Sequence, residues 1–319
     1  MYLEINTINS RNFSKLIPKS VITSYYHTFT FSSEKPKVVE PFFWTGFIDG
    51  EGSFSILVIK DNKRTLGWRI EPKFQIHLHI RDLDILLQFK QYLNDVGLIY
   101  TNRDRAIYTM SSIKDINMLI NHLNKYPLLT QKQGDYLLFK QVIDLFNNKT
   151  HLTLDGIKGI VNIKASMNLG LSEKLRLEFP DVIPVDRPLT LIPPKFNPAW
   201  VAGFITAEGC FDVRITKAKV KLGQRVQIRL RISQHIRDLE LMKALIQFLN
   251  AGSLYKYPNG LAIGIYIVNF KDITEKIIPL LNEYTISGVK LKDYKDWVKV
   301  HELMQKGSHL TSVALRAQV

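Results

Sequence analysis

The chain has 319 residues, enough for one large domain or two ordinary ones, each able to bury its own core. Its single cysteine, Cys210, excludes an internal disulfide framework and a cysteine-based zinc site, and no apolar run approaches the ~18 residues of a membrane span. With 43 Lys+Arg against 29 Asp+Glu the formal net charge is +14, an excess that points to a polyanion partner, nucleic acid before others; with no membrane-length apolar run, no membrane partner is expected.

Residues 1–40 are polar, rich in Ser and Thr, and read as an N-terminal extension. The first element is an apolar, helix-like run that closes on one acid between two glycines, WTGFIDGEGSF at 44–54. Residues 53–60 then read as a strand, the loop DNKRTLG follows, and a second strand ends near residue 78. Helical spacing runs from Arg81 to Asn94, a hairpin turns at TNRDRA, and two more helices fall around 112–125 and 132–146. Residues 151–198 form a connector, partly helical over 153–177. Its last part, DVIPVDRPLTLIPPKFNP, holds too many prolines for a helix or central strand and is expected to be an extended tether.

Beyond the connector the chain is written again. WVAGFITAEGCF (200–211) repeats the opening stretch, with Gly46 answering Gly203, Glu51 answering Glu208 and Phe54 answering Phe211 at one constant offset. A strand over 210–217 follows, in which Phe211, Val213 and Ile215 alternate with Asp212, Arg214 and Thr216. After the loop KAKVKLGQ a second strand ends near 234, helical spacing covers Arg237 to Asn250, YPNGL turns a hairpin, and helices close the copy around 271–283 and 290–305. FQIHLHIRDLDIL (74–86) returns as LRISQHIRDLELM (230–242), and QKQGDYLLF (131–139) as VKLKDYKDW (289–297). The organisation is therefore a first repeat over 41–150, the connector, a second repeat over 199–306 and a tail over 307–319. The expected fold class is α+β, two αββαββα repeats, each a four-stranded antiparallel sheet with helices on one face and the other face open.

Small residues at Thr45, Gly46, Gly50, Ala202, Gly203, Thr206 and Ala207 would let the two motif helices approach backbone to backbone and bring Glu51 and Glu208 together. Gly52 and Gly209 then turn each chain from helix into strand. Two carboxylates at helix C-termini repel each other and the negative ends of the dipoles, so cations are required. Oxygen ligands with water and phosphate suit Mg²⁺, and two or more ions would serve phosphodiester hydrolysis. The metal site is expected at Glu51, Glu208, Gly50 and Ala207. On the open faces, Arg225, Gln227, Arg229 and Arg231 share one strand phase in the second copy, and Lys73, Gln75 and His77 share one in the first. With Arg69 and Arg214 these are the candidate DNA-binding residues, Arg and Gln being able to contact guanine and adenine bidentately. Two such sheets would span ~20 base pairs of duplex.

The paired motifs resemble those of the LAGLIDADG homing endonucleases in their single-chain form, over Pro41 to Gln305. KASMNLGLSEKLRLEFP (164–180) and GVKLKDY (288–294) resemble the fungal mitochondrial intron-encoded group. The resemblance implies a monomeric, Mg²⁺-dependent, site-specific double-strand DNA endonuclease of mitochondrial origin, cutting across the minor groove of a long asymmetric site and leaving short 3′ overhangs. It implies that Gln234 helps order a water, that Leu78 at the equivalent place in the first copy makes the two half-sites unequal, and that Lys132 and Lys290 lie close to the metals. An RNA-splicing maturase acting on its own intron RNA, or a non-cleaving DNA-binding protein, is the alternative on the same fold. His79 and His235 repeat within HIRDL and lack zinc-site spacing, so packing or phosphate contact is expected of them, and a structural role of the Arg and Asp.

Overall fold

The computed structural model describes residues 40–219, 223–258 and 260–307. The N-terminal extension and the C-terminal tail lie outside the described residues, apart from Glu40 and Gly307 at their borders.

The first repeat runs α1 (Pro41–Glu51), β1 (Gly52–Lys60), β2 (Trp68–His79), α2 (Leu83–Tyr92), β3 (Leu98–Asn102), β4 (Arg105–Met110), α3 (Ile113–Lys125) and α4 (Lys132–Asn147). The connector contributes α5 (Leu154–Ala165) and α6 (Glu173–Glu178). The second repeat runs α7 (Pro198–Glu208), β5 (Gly209–Lys217), β6 (Gln224–His235), α8 (Leu239–Leu249), β7 (Ser253–Lys256), β8 (Ala262–Ile267), α9 (Ile278–Glu283) after a π-helical turn Ile273–Ile277, and α10 (Val289–Gln305). Both sheets are wholly antiparallel and share one topology, β1-β2-β4-β3 and β5-β6-β8-β7. The second hairpin turn falls at YPNGL as expected, with Asn259 outside the described residues. No helix among the described residues is long and apolar enough to cross a membrane.

Period-two alternation decides which sheet face is covered. Phe74 and Ile76 on β2, and Val226, Ile228, Leu230 and Ile232 on β6, are buried, while the polar phase between them stays accessible. The rings repeat the same arrangement in both copies. Phe54 packs 5.4 Å from Tyr136 and from Phe139 on α4, and Phe211 packs 5.3 Å from Tyr294 and from Trp297 on α10. Each repeat thus buries one sheet face under its own helices and leaves the other open.

Three local expectations are corrected. Thr45 does not lie in the helix–helix seam: its hydroxyl donates to the Tyr126 carbonyl at 2.9 Å and meets His122 Nε2 at 3.1 Å, inside the first repeat. Gly52 and Gly209 turn the chain in extended backbone (φ −70° and −71°), so their lack of a side chain is required by crowding. A Cβ would come within 2.7 Å of Ile48 Cγ2 at Gly52 and of Ile205 Cγ2 at Gly209. Finally, the proline-rich part expected to be a tether is pinned to the first repeat, and the helical part before it packs as well. Ile157, Val161, Leu171 and Leu175 build a separate apolar cluster with Val58, Leu66, Trp68 and Ile70 from the β1–β2 hairpin, closed by Phe179 and Val182. Helix and strand are absent over 179–197, but Arg187 within that stretch is anchored to Asp135 at 2.7 Å.

Candidate active site

The site begins with two apolar helices that have almost no side chain where they cross. A Cβ on Gly46 would fall 2.8 Å from the Phe204 nitrogen, and one on Gly203 would fall 2.7 Å from the Phe43 carbonyl carbon. One helical turn further, Gly50 faces Ala207, and a Cβ there would stand 3.2 Å from Glu208 Cγ. The absence of side chains at these crossings places the C-terminal ends of α1 and α7, and so Glu51 and Glu208, side by side. Asp49, fully buried, reinforces the crossing. It accepts from Trp200 Nε1 of the other repeat at 2.8 Å, and from Leu129 N, Thr130 N and Thr130 Oγ1 at 2.8, 3.0 and 2.6 Å.

Burial, and then the charge of Glu208, push the Glu51 carboxyl up to about 7, against the lowering effect of Lys290 and Lys132. Burial likewise raises Glu208, opposed by the same two lysines. The lysines are desolvated too, which lowers both. Lys132 Nζ donates to the carbonyls of Ile48 at 3.0 Å and Gly50 at 2.8 Å, and Lys290 Nζ donates to that of Ala207 at 2.7 Å. Each ammonium therefore sits on the negative end of its own repeat's motif helix. The carbonyls of Gly50 and Ala207, expected beside the metal, already take one lysine hydrogen bond each and keep a second lone pair.

Among the described residues no group of three or more His, Cys, Asp or Glu could hold a metal ion. Two desolvated carboxylates with backbone carbonyls nearby are a sparse set of hard oxygen donors. Such a set fits Mg²⁺, which keeps several waters and binds through one or two carboxylates plus substrate phosphate.

The two halves of the site differ. Gln234 Nε2 donates to Glu208 Oε1 at 3.3 Å, and its own Oε1 accepts from His235 N at 2.9 Å. Leu78 offers Glu51 nothing comparable, and a cleft of about 490 Å³ lies there, lined by Glu51, Leu78, Asp82, Lys290 and Asp293 among others. The HIRDL histidines are local caps: His79 Nδ1 accepts from Arg81 N, and His235 Nδ1 from Arg237 N, both at 3.2 Å. The motif aspartates reach across instead. Asp82 Oδ1 accepts from Val289 N at 2.9 Å and Asp238 Oδ1 from Gln131 N at 2.7 Å, each in the opposite repeat. Sequence reading missed these contacts, although an Asp kept in both copies of one motif was a usable signal.

The open sheet faces carry the basic residues as expected, several of them already engaged. Asp212 Oδ1 and Oδ2 hold Arg229 Nε at 2.6 Å and Arg231 Nε at 2.7 Å. Lys73 pairs with Glu71 at 3.4 Å, and Arg69 pairs with Glu71 and, at 4.0 Å, with Asp61. Arg214 lies opposite Gln227 and Arg225 opposite Thr216 on the β5–β6 ladder, both arginines exposed. Gln75 is half-buried, while His77 is exposed at the rim of the Glu51 cleft. Tyr255, Tyr257 and Tyr266 add an aromatic cluster on the second sheet that sequence reading passed over.

Residues 44–143 and 201–301 each match the LAGLIDADG endonuclease family. The chain belongs to that family. "Probable intron-encoded endonuclease 3" of Neurospora crassa is 50% identical over 276 residues, 86% of this chain. Those residues make up 52% of that relative, so the chain spans about half its length. Among solved structures, the LAGLIDADG homing endonuclease I-GzeII in complex with its DNA target is 40% identical with a TM-score of 0.82, covering 88% of this chain and 95% of that one. I-SmaMI, bound to an uncleaved DNA target in the presence of calcium ions, is 37% identical with a TM-score of 0.85, covering 87% of this chain and 96% of that one. The two-repeat LAGLIDADG architecture expected from the duplicated motif is thus the fold of the protein.

Proposed function

We propose that this LAGLIDADG protein is a site-specific double-strand DNA endonuclease of intron homing, acting as a monomer on a long asymmetric duplex with Mg²⁺. The observation that carries the reading is the placement of Glu51 and Glu208 at the joined ends of α1 and α7, with an open, Arg/Lys/Gln-bearing sheet face on each repeat. Glu51 and Glu208 would hold the cations, with the Gly50 and Ala207 carbonyls beside them. When bound, Mg²⁺ supplies Lewis acidity towards the phosphate and lowers the pKa of the attacking water. Lys132 and Lys290 place two desolvated ammonium groups where charge develops on the phosphates, at positions fixed by the helix-end carbonyls. Gln234, held by Glu208 and His235, orients solvent on one side only. Arg69, Lys73, Gln75, His77, Arg214, Arg225, Gln227, Arg229 and Arg231 read the duplex, and two sheets of this length span ~20 base pairs. Relatives named as intron-encoded endonucleases of fungi support an intron origin, and with it a mitochondrial one. Both acids are in place, which a non-cleaving maturase or DNA-binding regulator would not need.

The test is cleavage selection. Purified protein is incubated with a library of randomised and intron-insertion-site duplexes, in Mg²⁺ and in EDTA. Discrete Mg²⁺-dependent breaks at one long sequence are expected. Tight, salt-sensitive binding without breaks in any divalent metal would overturn the reading.

A further inference from the structure

We infer that Asp82 and Asp238 are positioning residues that work across the pseudo-twofold: each holds the start of the other repeat's lysine-bearing helix and so sets that lysine beside the acid of its own repeat. The inference rests on the endonuclease reading above.

The bonded amides are those of Val289 and Gln131, the residues immediately before Lys290 and Lys132. Neither residue there caps its helix with its own side chain, Gln131 before α4 and Gly288 before α10. Gly288 lies at φ +70° and a Cβ there would meet Asp82 Oδ1 at 3.0 Å, so the carboxylate is seated closely against this turn. The first N–H groups of a helix have no partner within the helix and require one from outside. Here the partner comes from a residue 207 positions away in one case and 107 in the other. The Gln131 peptide is gripped from its other side as well, where Arg187 Nη2 donates to its carbonyl at 2.9 Å.

These bonds sort the catalytic groups into two composite half-sites. Glu51, Asp82, Val289 and Lys290 line one cleft, with contributions from both repeats. Glu51 of the first repeat therefore shares a cleft with Lys290 of the second. Asp82, three residues beyond the end of β2, holds the start of α10, where Lys290 shares the cleft of Glu51, and Asp238, three beyond β6, holds the residue before Lys132 at the start of α4. In the second half-site the contacts run in a chain from one acid to the other. Gln234 binds Glu208, Asp238 four residues later binds Gln131, and Lys132 binds the carbonyl preceding Glu51. In the first half-site Leu78 leaves the corresponding chain without its first link.

The experiment is strand-resolved cleavage of a supercoiled plasmid carrying the selected target, with hydrogen exchange on the same proteins. Asp82→Ala is expected to slow one strand's kcat about tenfold, leave the KM for DNA within about twofold, and accumulate nicked circle. Lys290→Ala should slow the same strand, and the double variant should be no slower than Lys290→Ala alone. Asp82→Asn, which keeps an acceptor in place, should restore most of the rate. Asp238→Ala and Lys132→Ala should behave likewise on the other strand. Asp82 is only partly buried, so its variants carry the test should Asp238→Ala not fold. Equal slowing of both strands, or full additivity with Lys290→Ala, would overturn the inference. Exchange at the start of α10 should rise in Asp82→Ala whether or not the chain cuts DNA, and unchanged exchange would overturn the cap itself. Normal rates on both strands in Lys290→Ala and Lys132→Ala would instead overturn the catalytic reading beneath it.

Discussion

Gly46 faces the Trp200 peptide so closely that a Cβ at Gly46 would lie 2.9 Å from the Trp200 carbonyl carbon, with Phe204 N at 2.8 Å. The obstacle is backbone on both sides, so no rotamer change relieves it. Gly46→Ala is expected to destabilise the protein by about 3 kcal/mol or more. That corresponds to a fall in Tm on the order of 6 °C. Gly203→Ala should do the same against Phe43. Gly159→Ala is the control: nothing lies within 4 Å of that position in α5, and alanine there should stabilise by up to about 1 kcal/mol. Calorimetry on the three variants decides it.

The duplicated motif made this much of the fold legible, because small residues at a constant offset have only one economical use, a close helix crossing. Period two on β2 and β6 likewise told the covered face from the open one. What stayed hidden is what depends on distant partners. The Asp repeated in both copies of HIRDL signalled a role, but nothing near Asp82 or Asp238 names a helix of the other repeat as the partner, and nothing near Arg187 marks Asp135 as its partner. Thr45 was misassigned for the same reason: a small residue in a packed helix suits a seam, but its hydroxyl bonds Tyr126, which only the tertiary structure brings near. Leu78 against Gln234 was visible, because the repeat supplies its own internal comparison.

Glu51 links stability to pH. Its carboxyl is raised from 4.5 to about 7, chiefly by burial and next by Glu208. A folded-state pKa above the unfolded one contributes stability that is full below about 4.5 and is lost as pH rises through about 7. The difference is worth about 3 kcal/mol. In chelator, Glu51→Gln should therefore be more stable than the parent at pH 8 and equal to it near pH 4, while its double-strand cleavage is abolished and DNA binding kept. Thermal melts across pH check this, and a pH-independent difference would refute the linkage. Mg²⁺ should raise the parent's Tm more at pH 8 than at pH 6, since protons compete for the same oxygens.

Asp212 holds two guanidinium groups by their Nε atoms, and Arg231 Nη2 donates as well to Cys210 Sγ at 3.2 Å. Its counterpart in the first repeat is Ser55. Asp212→Ser should free Arg229 and loosen Arg231, steepen the salt dependence of non-specific DNA binding by about one unit of slope, and lower discrimination against the wrong site about tenfold. Binding titrations on target and random duplex at several salt concentrations measure both effects.

Arg187 fastens the connector to α4. Burial pushes the Asp135 carboxyl up, but the Arg187 guanidinium and the Asn168 N–H outweigh it and hold the group below its usual range. Stability from this pair is present above the ordinary carboxylate pKa and is lost as pH falls through the lowered one. Arg187→Met leaves a buried carboxylate largely uncompensated and should lower stability by about 2–3 kcal/mol at pH 7. Asp135→Asn in that background should recover part of it. Urea titration should show a lower midpoint with an unchanged slope.

The exchange of Gln234 and Leu78 tests the asymmetry of the site. Gln234, at the end of β6, bonds Glu208 through Nε2, and its second bond to His235 N fixes the amide's orientation. Removing a hydrogen bond to a charged group costs about 1.5–3 kcal/mol when the charge is left poorly solvated. If that bond is used in the transition state, Gln234→Leu should slow cleavage of one strand by about 10–100-fold. The other strand should be nearly unaffected, because Leu78 already stands at its equivalent. Leu78→Gln should do the opposite, placing an amide in the open cleft beside Glu51 and bringing the two strand rates closer together. Quench-flow cleavage with each strand labelled separately gives both rates. Equal slowing of both strands in Gln234→Leu would mean that this glutamine organises the joined helix ends as a whole and not its own half-site.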